Sequence, residues 1–193
     1  MVKAVFIGRS NVGKSSTIKA LTGKRLKIGR RPGVTLKPME FEWGDVTIVD
    51  MPGFGFMSGI NEEKREGIKD SIVRYLEEKK DLSFAVQIID AKAFLEIKDR
   101  WYKRGQIPVE IELFNFLNEL ELKPIIVANK IDKITKDKRD KFLDQICESL
   151  DLLPPWRQWM DTIVPFSAKT GEGVLDLKRL IRSRIESAKK SSL

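Results

Sequence analysis

Runs of apolar residues alternate along the chain with longer segments of helical periodicity. Apolar runs predict strands at 2–7, 39–43, 46–49, 84–89, 124–128 and 163–166, and amphipathic periodicity predicts helices at 14–22, 62–80, 109–120, 136–150 and 174–188. Gly44 and Asp45 separate the second and third strands, which predicts a hairpin-like turn. Uninterrupted apolar strands that alternate with helices favour an α/β fold, with a mainly parallel sheet covered by helices on both faces.

Glycine and proline residues predict loops at 24–37, which is also basic, and at 50–59. The second contains three glycines and a proline, which leaves it little intrinsic rigidity. Neither these segments nor the rest of the chain contains the ~20 continuous apolar residues of a membrane span. The apolar run 2–7 leads directly into a glycine loop, so we interpret it as a strand and not as a signal peptide. We expect one domain over residues 1–193 and a monomer.

Composition narrows the chemistry that the chain can perform. The sequence contains no histidine, which excludes histidine-based metal sites, triads and general bases. Its one cysteine, Cys147, cannot form an intrachain disulfide, which favours a reducing, cytoplasmic location. Cys147 lies in an apolar helical stripe with Phe142, Ile146 and Leu150, so we expect a small buried apolar side chain there instead of a reactive thiol.

The net charge of +8 is concentrated near the amino terminus. The first 39 residues contain ten Lys or Arg and no acidic residue, and the remainder carries 26 basic against 28 acidic residues. This asymmetry is typical of contact with a polyanion such as RNA. A basic surface around a phosphate site would produce the same asymmetry.

The segment 8–15 reads GRSNVGKS, and it follows a predicted strand and precedes a predicted helix. This pattern in this context is typical of a P-loop, in which backbone N–H groups and a helix amino terminus surround phosphates. Lys14 should reach the β- and γ-phosphates, and the Ser15 hydroxyl should bind Mg²⁺. A glycine-rich turn with a purely structural role is the alternative.

Asp50 and Gly53 form a D-x-x-G pattern at the end of a predicted strand. An aspartate there could hold a magnesium-bound water, and a glycine could bring its N–H close to the γ-phosphate. Thr35, in the basic loop 24–37, could complete the Mg²⁺ shell only when a γ-phosphate is present, which would make this loop a sensor of the triphosphate. Both patterns are common alone and depend on the P-loop for their meaning.

The segment 129–132 reads NKID and follows another predicted strand. The Asp132 carboxylate can accept hydrogen bonds from N1–H and from the exocyclic amine of guanine, and adenine offers neither donor. Asn129 can brace the loop and contact N7, and the stem of Lys130 can lie along the ring. The segment 167–169, SAK, could place a backbone N–H against guanine O6.

With these residues assigned, the chain resembles P-loop GTPases of the TrmE-Era-EngA-EngB-like group, and within it the EngB (YihA/YsxC) family in an archaeal form. The motifs that carry the resemblance are GRSNVGKSS at 8–16, RPGVT at 31–35 and DMPGFGF at 50–56, and the resemblance covers nearly the whole chain. It implies a three-layer fold with a six-stranded sheet, hydrolysis of GTP to GDP, a switch role in assembly of the large ribosomal subunit and, in bacteria, in division septation. Bacterial relatives differ at the base reader, which is usually TKxD, and at residues 92–108.

The motifs and the resemblance together imply a set of site residues. The residues expected to contact the nucleotide are Gly8, Arg9, Ser10, Asn11, Val12, Gly13, Lys14, Ser15, Ser16, Gly33, Val34, Thr35, Asp50, Met51, Pro52, Gly53, Asn129, Lys130, Ile131, Asp132, Phe166, Ser167, Ala168 and Lys169. The expected metal is Mg²⁺, held by Ser15, Thr35 and, through water, Asp50. Lys14 is expected to stabilise the transition state.

Many GTPases place a glutamine after D-x-x-G to orient the attacking water, and here that position is Phe54. Because a phenyl ring cannot position water by hydrogen bonding, we expect slow intrinsic GTP hydrolysis that an additional activator accelerates. Related GTPases with an asparagine at the position of Asn11 use it to hold K⁺, which makes K⁺ a candidate cofactor and Asn11 its candidate ligand. A ribosomal particle is a second candidate activator.

Other functions remain compatible with parts of the sequence. These are a GTPase in another RNA- or membrane-linked process, an ATP-using P-loop kinase or ATPase, and an RNA-binding protein with little turnover. The NKID segment argues against an ATP enzyme, and intact Lys14, Ser15 and Asp50 argue against a vestigial nucleotide site. Aromatic and basic residues at 101–104 could stack on unpaired bases or could simply pack at the rim of the core.

Overall fold

The computed structural model describes residues 1–24, 38–53 and 62–191, the side chains of 62–66, 68 and 191 excepted. The strands of this part of the chain are β1 (Val2–Gly8), β2 (Met39–Trp43), β3 (Val46–Asp50), β4 (Leu82–Asp90), β5 (Ile125–Asn129) and β6 (Ile163–Pro165). Its α helices are α1 (Lys14–Thr22), α2 (Glu62–Glu78), α3 (Ala91–Tyr102), α4 (Val109–Glu119), α5 (Lys136–Ser149) and α6 (Val174–Ser191).

The strands form one six-stranded sheet in the order β2-β3-β1-β4-β5-β6. All neighbours are parallel except β2 and β3, which form the expected antiparallel hairpin. Strands β3 and β5 are buried at every position, whereas the edge strand β2 alternates half-buried and exposed residues. The difference follows from position, because a central strand covered on both faces has no side directed to water. The predicted α/β class with a mainly parallel six-stranded sheet is confirmed.

Helices cover both faces of this sheet. Helices α1 and α6 pack on one face through an apolar cluster that includes Ile18 and Leu177. Helices α2 and α4 pack on the opposite face through residues such as Ile72 and Leu117, and α3 and α5 extend that face over β4 and β5. Cys147 is completely buried in the α5 part of this layer, and burial raises the pKa of its thiol to about 11.

Helix α3 is an element that the sequence pattern did not predict. Its buried side consists of only three residues, Ala91, Phe94 and Leu95. Five charged residues within 92–100 interrupt the apolar periodicity that would indicate a helix. Its start is defined by Asp90, whose side chain accepts a hydrogen bond from the backbone N–H of Ala93 at 3.1 Å. The other predicted elements are present, with ends that differ by up to three residues.

A network of charged groups joins three elements at the amino end of the sheet. The Lys3 ammonium lies 3.1 Å from Glu40 on β2 and 2.8 Å from Asp81, which precedes β4. The Tyr75 hydroxyl of α2 donates to Glu40 at 3.0 Å. Hydrogen bonding to Lys3 lowers the pKa of both carboxyls, and burial raises the pKa of Tyr75 to about 12.

Replacing Lys3 by methionine should reduce the decrease in unfolding free energy that occurs between pH 7 and pH 2. Carboxyls with a lowered pKa stabilise the fold above their ordinary values of 4.5 and 3.8 and lose that contribution as the pH falls through their folded values. Exposed pairs contribute at most about 1 kcal/mol, so the variant should lose about that much at pH 7 and progressively less as the pH falls through the folded pKa values of the two carboxyls. Urea unfolding from pH 7 to pH 2 measures the difference. Lys178→Met, at an exposed lysine with no ion pair to any described residue, should leave the curve unchanged; equal curves for Lys3→Met and the unsubstituted protein would contradict the expectation.

Candidate nucleotide-binding site

The carboxyl ends of the parallel strands bring the sequence motifs to one edge of the sheet. Phe6 of β1 lies opposite Asp50 of β3, Gly8 lies opposite Ile88 of β4, and Asp90 lies opposite Asn129 of β5. The loops that follow these strands therefore converge, as ligand-binding loops do in open α/β sheets.

The loop 8–15 is held in a shape that requires glycine at two positions. A Cβ on Gly8 would lie 2.5 Å from the backbone oxygen of Ile88. Gly13 has φ +94°, and a Cβ there would lie 2.3 Å from Asn129 Nδ2. Helix α1 begins directly after Gly13 and has no acidic residue in its first turn, so its amino terminus presents unopposed N–H groups that suit an anion.

Lys14 and Asp50 form an ion pair in the centre of this edge. Both side chains are largely buried. Burial raises the pKa of the Asp50 carboxyl, and the Lys14 ammonium opposes part of that rise. With the half-buried Ser15 on α1, the pair supplies one cation for phosphate and two hard oxygen groups for a divalent metal.

Hydrogen bonds connect the segment 129–132 to the loop 8–15 and to the segment 167–169. Asn129 Nδ2 donates to the backbone oxygen of Val12 at 2.8 Å, and Asn129 Oδ1 accepts from the Ala168 N–H at 3.1 Å. The Ser167 hydroxyl donates to Asp132 Oδ1 at 2.6 Å. Since a carboxylate has about four lone-pair sites, Asp132 keeps acceptor capacity for two donors of a base.

Asp90 also lies in this site, although it belongs to none of the sequence motifs. Its Oδ2 lies 2.7 Å from the Lys130 ammonium, which also donates to the backbone oxygen of Asn11 at 2.7 Å. The available signal was its position, because it ends a buried parallel strand as Asp50 and Asn129 do.

A buried polar cluster lies behind the loop 8–15 and was also missed. Arg9 donates to Glu110 Oε1 at 3.0 Å, and Gln87 Nε2 donates to the Glu110 backbone oxygen at 2.7 Å. Glu110 Oε2 and Gln87 Oε1 have no hydrogen-bond partner within the described ranges. Glu110 lies one or two helical turns before Leu113, Phe114 and Leu117, on the apolar side of α4. A charged residue within an apolar stripe indicates that it has a buried partner, which is the feature of the sequence that could have identified this cluster.

The remaining predicted residues differ in burial, and some lie outside the described ranges. Val12, Met51, Pro52, Ile131 and Phe166 are buried, so only their backbone could reach a ligand, whereas Asn11, Ser16 and Lys169 are exposed. Ser10 packs against Gly53, where a Cβ would lie 3.1 Å from Ser10 Oγ. Gly33, Val34, Thr35 and Phe54, with the basic residues of 25–37, lie outside the described residues.

The described residues contain no group of three or more Asp, Glu, Cys or His side chains that could hold a metal unaided. One carboxylate and one hydroxyl instead fit Mg²⁺, which keeps several waters and takes further oxygens from substrate phosphates. Within 1–24, 38–53 and 62–191, no helix has the length and apolar character needed to cross a membrane.

Comparison with known proteins agrees with this geometry. A family model described as a 50S ribosome-binding GTPase matches residues 3–130. A probable GTP-binding protein EngB of Methanopyrus kandleri is 51% identical over 191 residues, covering 97% of this chain and 94% of the relative. One from Pyrococcus abyssi is 46% identical, covering 94% and 84% of the two chains. The crystal structure of a probable GTP-binding protein engB superimposes with a TM-score of 0.88 at 42% identity, covering 96% of this chain and all of the other.

Proposed function

Because the chain belongs to the EngB family of GTP-binding GTPases, we propose that it acts as a GTP-driven switch in assembly of the large ribosomal subunit. The observation that best supports nucleotide binding is that the Asn129 side chain joins three loops by hydrogen bonds. It donates to the Val12 backbone oxygen and accepts from the Ala168 N–H. One side chain thus couples the phosphate loop to both base-contacting segments.

We assign the phosphates to the loop 8–15 and the amino terminus of α1. On nucleotide binding, the Lys14 ammonium would leave Asp50 and contact the β- and γ-phosphates. The Asp50 carboxylate would then be free to face the metal. When bound, Mg²⁺ neutralises phosphate charge. Ser15, Asp50 and Thr35 are the residues we assign to it, Asp50 through water.

The base would lie between Lys130 and the segment 167–169. Asp132, which accepts a hydrogen bond from the Ser167 hydroxyl, would also accept from N1–H and the exocyclic amine of guanine. A backbone N–H of the segment 167–169, which Asn129 holds through Ala168, would donate to guanine O6. A base without those donors would leave the remaining acceptor sites of a half-buried carboxylate unsatisfied, which disfavours adenine.

Slow intrinsic hydrolysis with a potassium requirement is part of the proposal. Asn11 lies exposed within the loop 8–15 in a left-handed conformation, φ 69°, where its side chain is available to a monovalent cation. Single-turnover hydrolysis in KCl should therefore exceed that in NaCl at equal ionic strength. Equal rates would remove K⁺ from the mechanism.

The ribosomal part of the proposal rests on charge and on the end of α3. Lys103 and Arg104 are exposed there beside Tyr102, which is half exposed and whose ring centre lies 5.9 Å from the Lys98 ammonium. Aromatic and basic side chains in this combination suit stacking on unpaired bases and contact with phosphates. The basic residues of 25–37 would add to this surface.

Sedimentation with large ribosomal subunits tests the switch. The protein loaded with a non-hydrolysable GTP analogue should cosediment with the particle, the GDP form should not, and binding should weaken steeply with salt. Lys103→Glu with Arg104→Glu should reduce binding while leaving GDP affinity unchanged, and Lys178→Glu with Arg182→Glu on α6 is the matched control. Binding that ignores the nucleotide would refute the switch.

A further inference from the structure

We propose that Asp90 is a positioning residue of the nucleotide site, which holds the Lys130 ammonium in place and thereby slows dissociation of the guanine nucleotide. The inference rests on the proposed function and adds a residue that belongs to none of the motifs. Asp90 lies at the end of β4, directly beside Asn129 in the sheet.

The two oxygens of Asp90 have separate partners. Oδ1 accepts from the Ala93 N–H at 3.1 Å and so begins α3, and Oδ2 lies 2.7 Å from Lys130 Nζ. A carboxylate held by a backbone donor has a defined orientation, so the oxygen left over presents a fixed charge to the lysine.

The Lys130 side chain extends from the segment 129–132 to the loop 8–15 and must be held in one conformation to do so. Its backbone is left-handed, φ 64°, and its ammonium bridges Asp90 and the backbone oxygen of Asn11. A lysine side chain carries about 2 kcal/mol of rotamer entropy, and one neutral carbonyl oxygen is a weak anchor for it. With Asp90 in place the chain of methylenes is held between the base segment and the phosphate loop, where it can cover a purine ring without further ordering.

A role limited to starting α3 is the competing explanation, and asparagine separates the two. Asn caps helices about as well as Asp, so Asp90→Asn retains the cap and removes the charge that Lys130 meets. We expect its GDP dissociation constant to rise about tenfold, mostly through faster release, because a charge-assisted bond is replaced by a neutral one. The melting temperature without nucleotide should change little.

The decisive measurement is a double-mutant cycle read by release of fluorescent GDP. If Asp90 acts through Lys130, Asp90→Asn should have no more than a twofold effect in a Lys130→Met background. The ratio of affinities for GDP and inosine diphosphate should stay constant, since Asp132 reads the amine that distinguishes them. Asp99→Asn, the same change at an exposed position of α3, should release GDP at the unsubstituted rate.

Two results would overturn the inference. One is unchanged GDP release by Asp90→Asn, and the other is a full tenfold effect of Asp90→Asn in the Lys130→Met background. Failure of the proposed function is a different result, since the unsubstituted protein would then not bind GDP saturably at all. A loss of affinity in Asp90→Ala alone, with Asp90→Asn normal, would assign Asp90 to the helix cap only.

Discussion

Asp132→Asn should bind xanthosine diphosphate in preference to GDP. In the proposed site the carboxylate would accept from the two donors on the guanine edge, whereas an asparagine amide would present an N–H that repels the guanine amine and suits the carbonyl that xanthine carries at the same carbon. Asn Oδ1 can still accept from the Ser167 hydroxyl, now 2.6 Å from Asp132 Oδ1, so the loop should keep its shape. We expect GDP affinity to fall by about 100-fold or more, the scale on which a site with an unsatisfied polar group rejects a ligand.

Competition titrations against a fluorescent nucleotide measure this change with both diphosphates. Asp151→Asn is the matched control, since Asp151 is exposed with φ 57°, a conformation that asparagine tolerates, and its affinities should not change. If Asp132→Asn retained full GDP affinity, Asp132 could not be the reader of the base.

Gly13→Ala should abolish measurable nucleotide binding and also weaken the fold. The added methyl group would lie 2.3 Å from Asn129 Nδ2, which donates to the Val12 backbone oxygen, and φ +94° is a strained conformation for alanine. Strain and the lost hydrogen bond together should cost about 2–4 kcal/mol of unfolding free energy. Because Asn129 also accepts from Ala168, the displacement should reach the segments 129–132 and 167–169, to which we assign contact with the base.

Urea unfolding and nucleotide titration should therefore change together in Gly13→Ala. Gly67→Ala is the control, because Gly67 lies inside α2, where no other described residue outside its own helix turn comes within 4 Å of a Cβ, and alanine favours helix there. This control should be as stable as the unsubstituted protein or slightly more so. A stable Gly13→Ala variant with normal GDP affinity would show that the loop relaxes around a side chain.

The pattern of apolar residues was sufficient for most of the fold because the sheet is buried on both faces. Strands β1, β3 and β5 are largely apolar, interrupted only by Lys3 and Thr47, and a glycine or a polar residue stands at the end of each. Those ends are where the loops 8–15, 50–53 and 129–132 begin, so order along the chain sufficed to predict that these segments meet. Their roles toward a nucleotide stay predictions that the variants above address.

Helix α3 escaped the pattern because three buried residues support it while charges occupy most of its surface. Asp90 and Glu110 escaped for another reason, since each owes its role to a partner far away in sequence. Lys130 follows Asp90 by 40 residues, and Glu110 follows Arg9 by 101. Motif spacing describes neighbours along the chain and cannot identify such pairs, although a charge inside an apolar stripe or at a strand end indicates that a partner exists.

The burial of Cys147 makes the protein suitable for site-specific labelling without first removing a native thiol. It is the one cysteine of the sequence, it is completely buried, and its pKa of about 11 keeps it protonated at pH 7. A cysteine introduced at exposed Ser183 on α6 would therefore react alone with a maleimide dye. A second one at exposed Lys92 on α3 would allow the distance between the two faces of the sheet to be followed by energy transfer as nucleotides exchange.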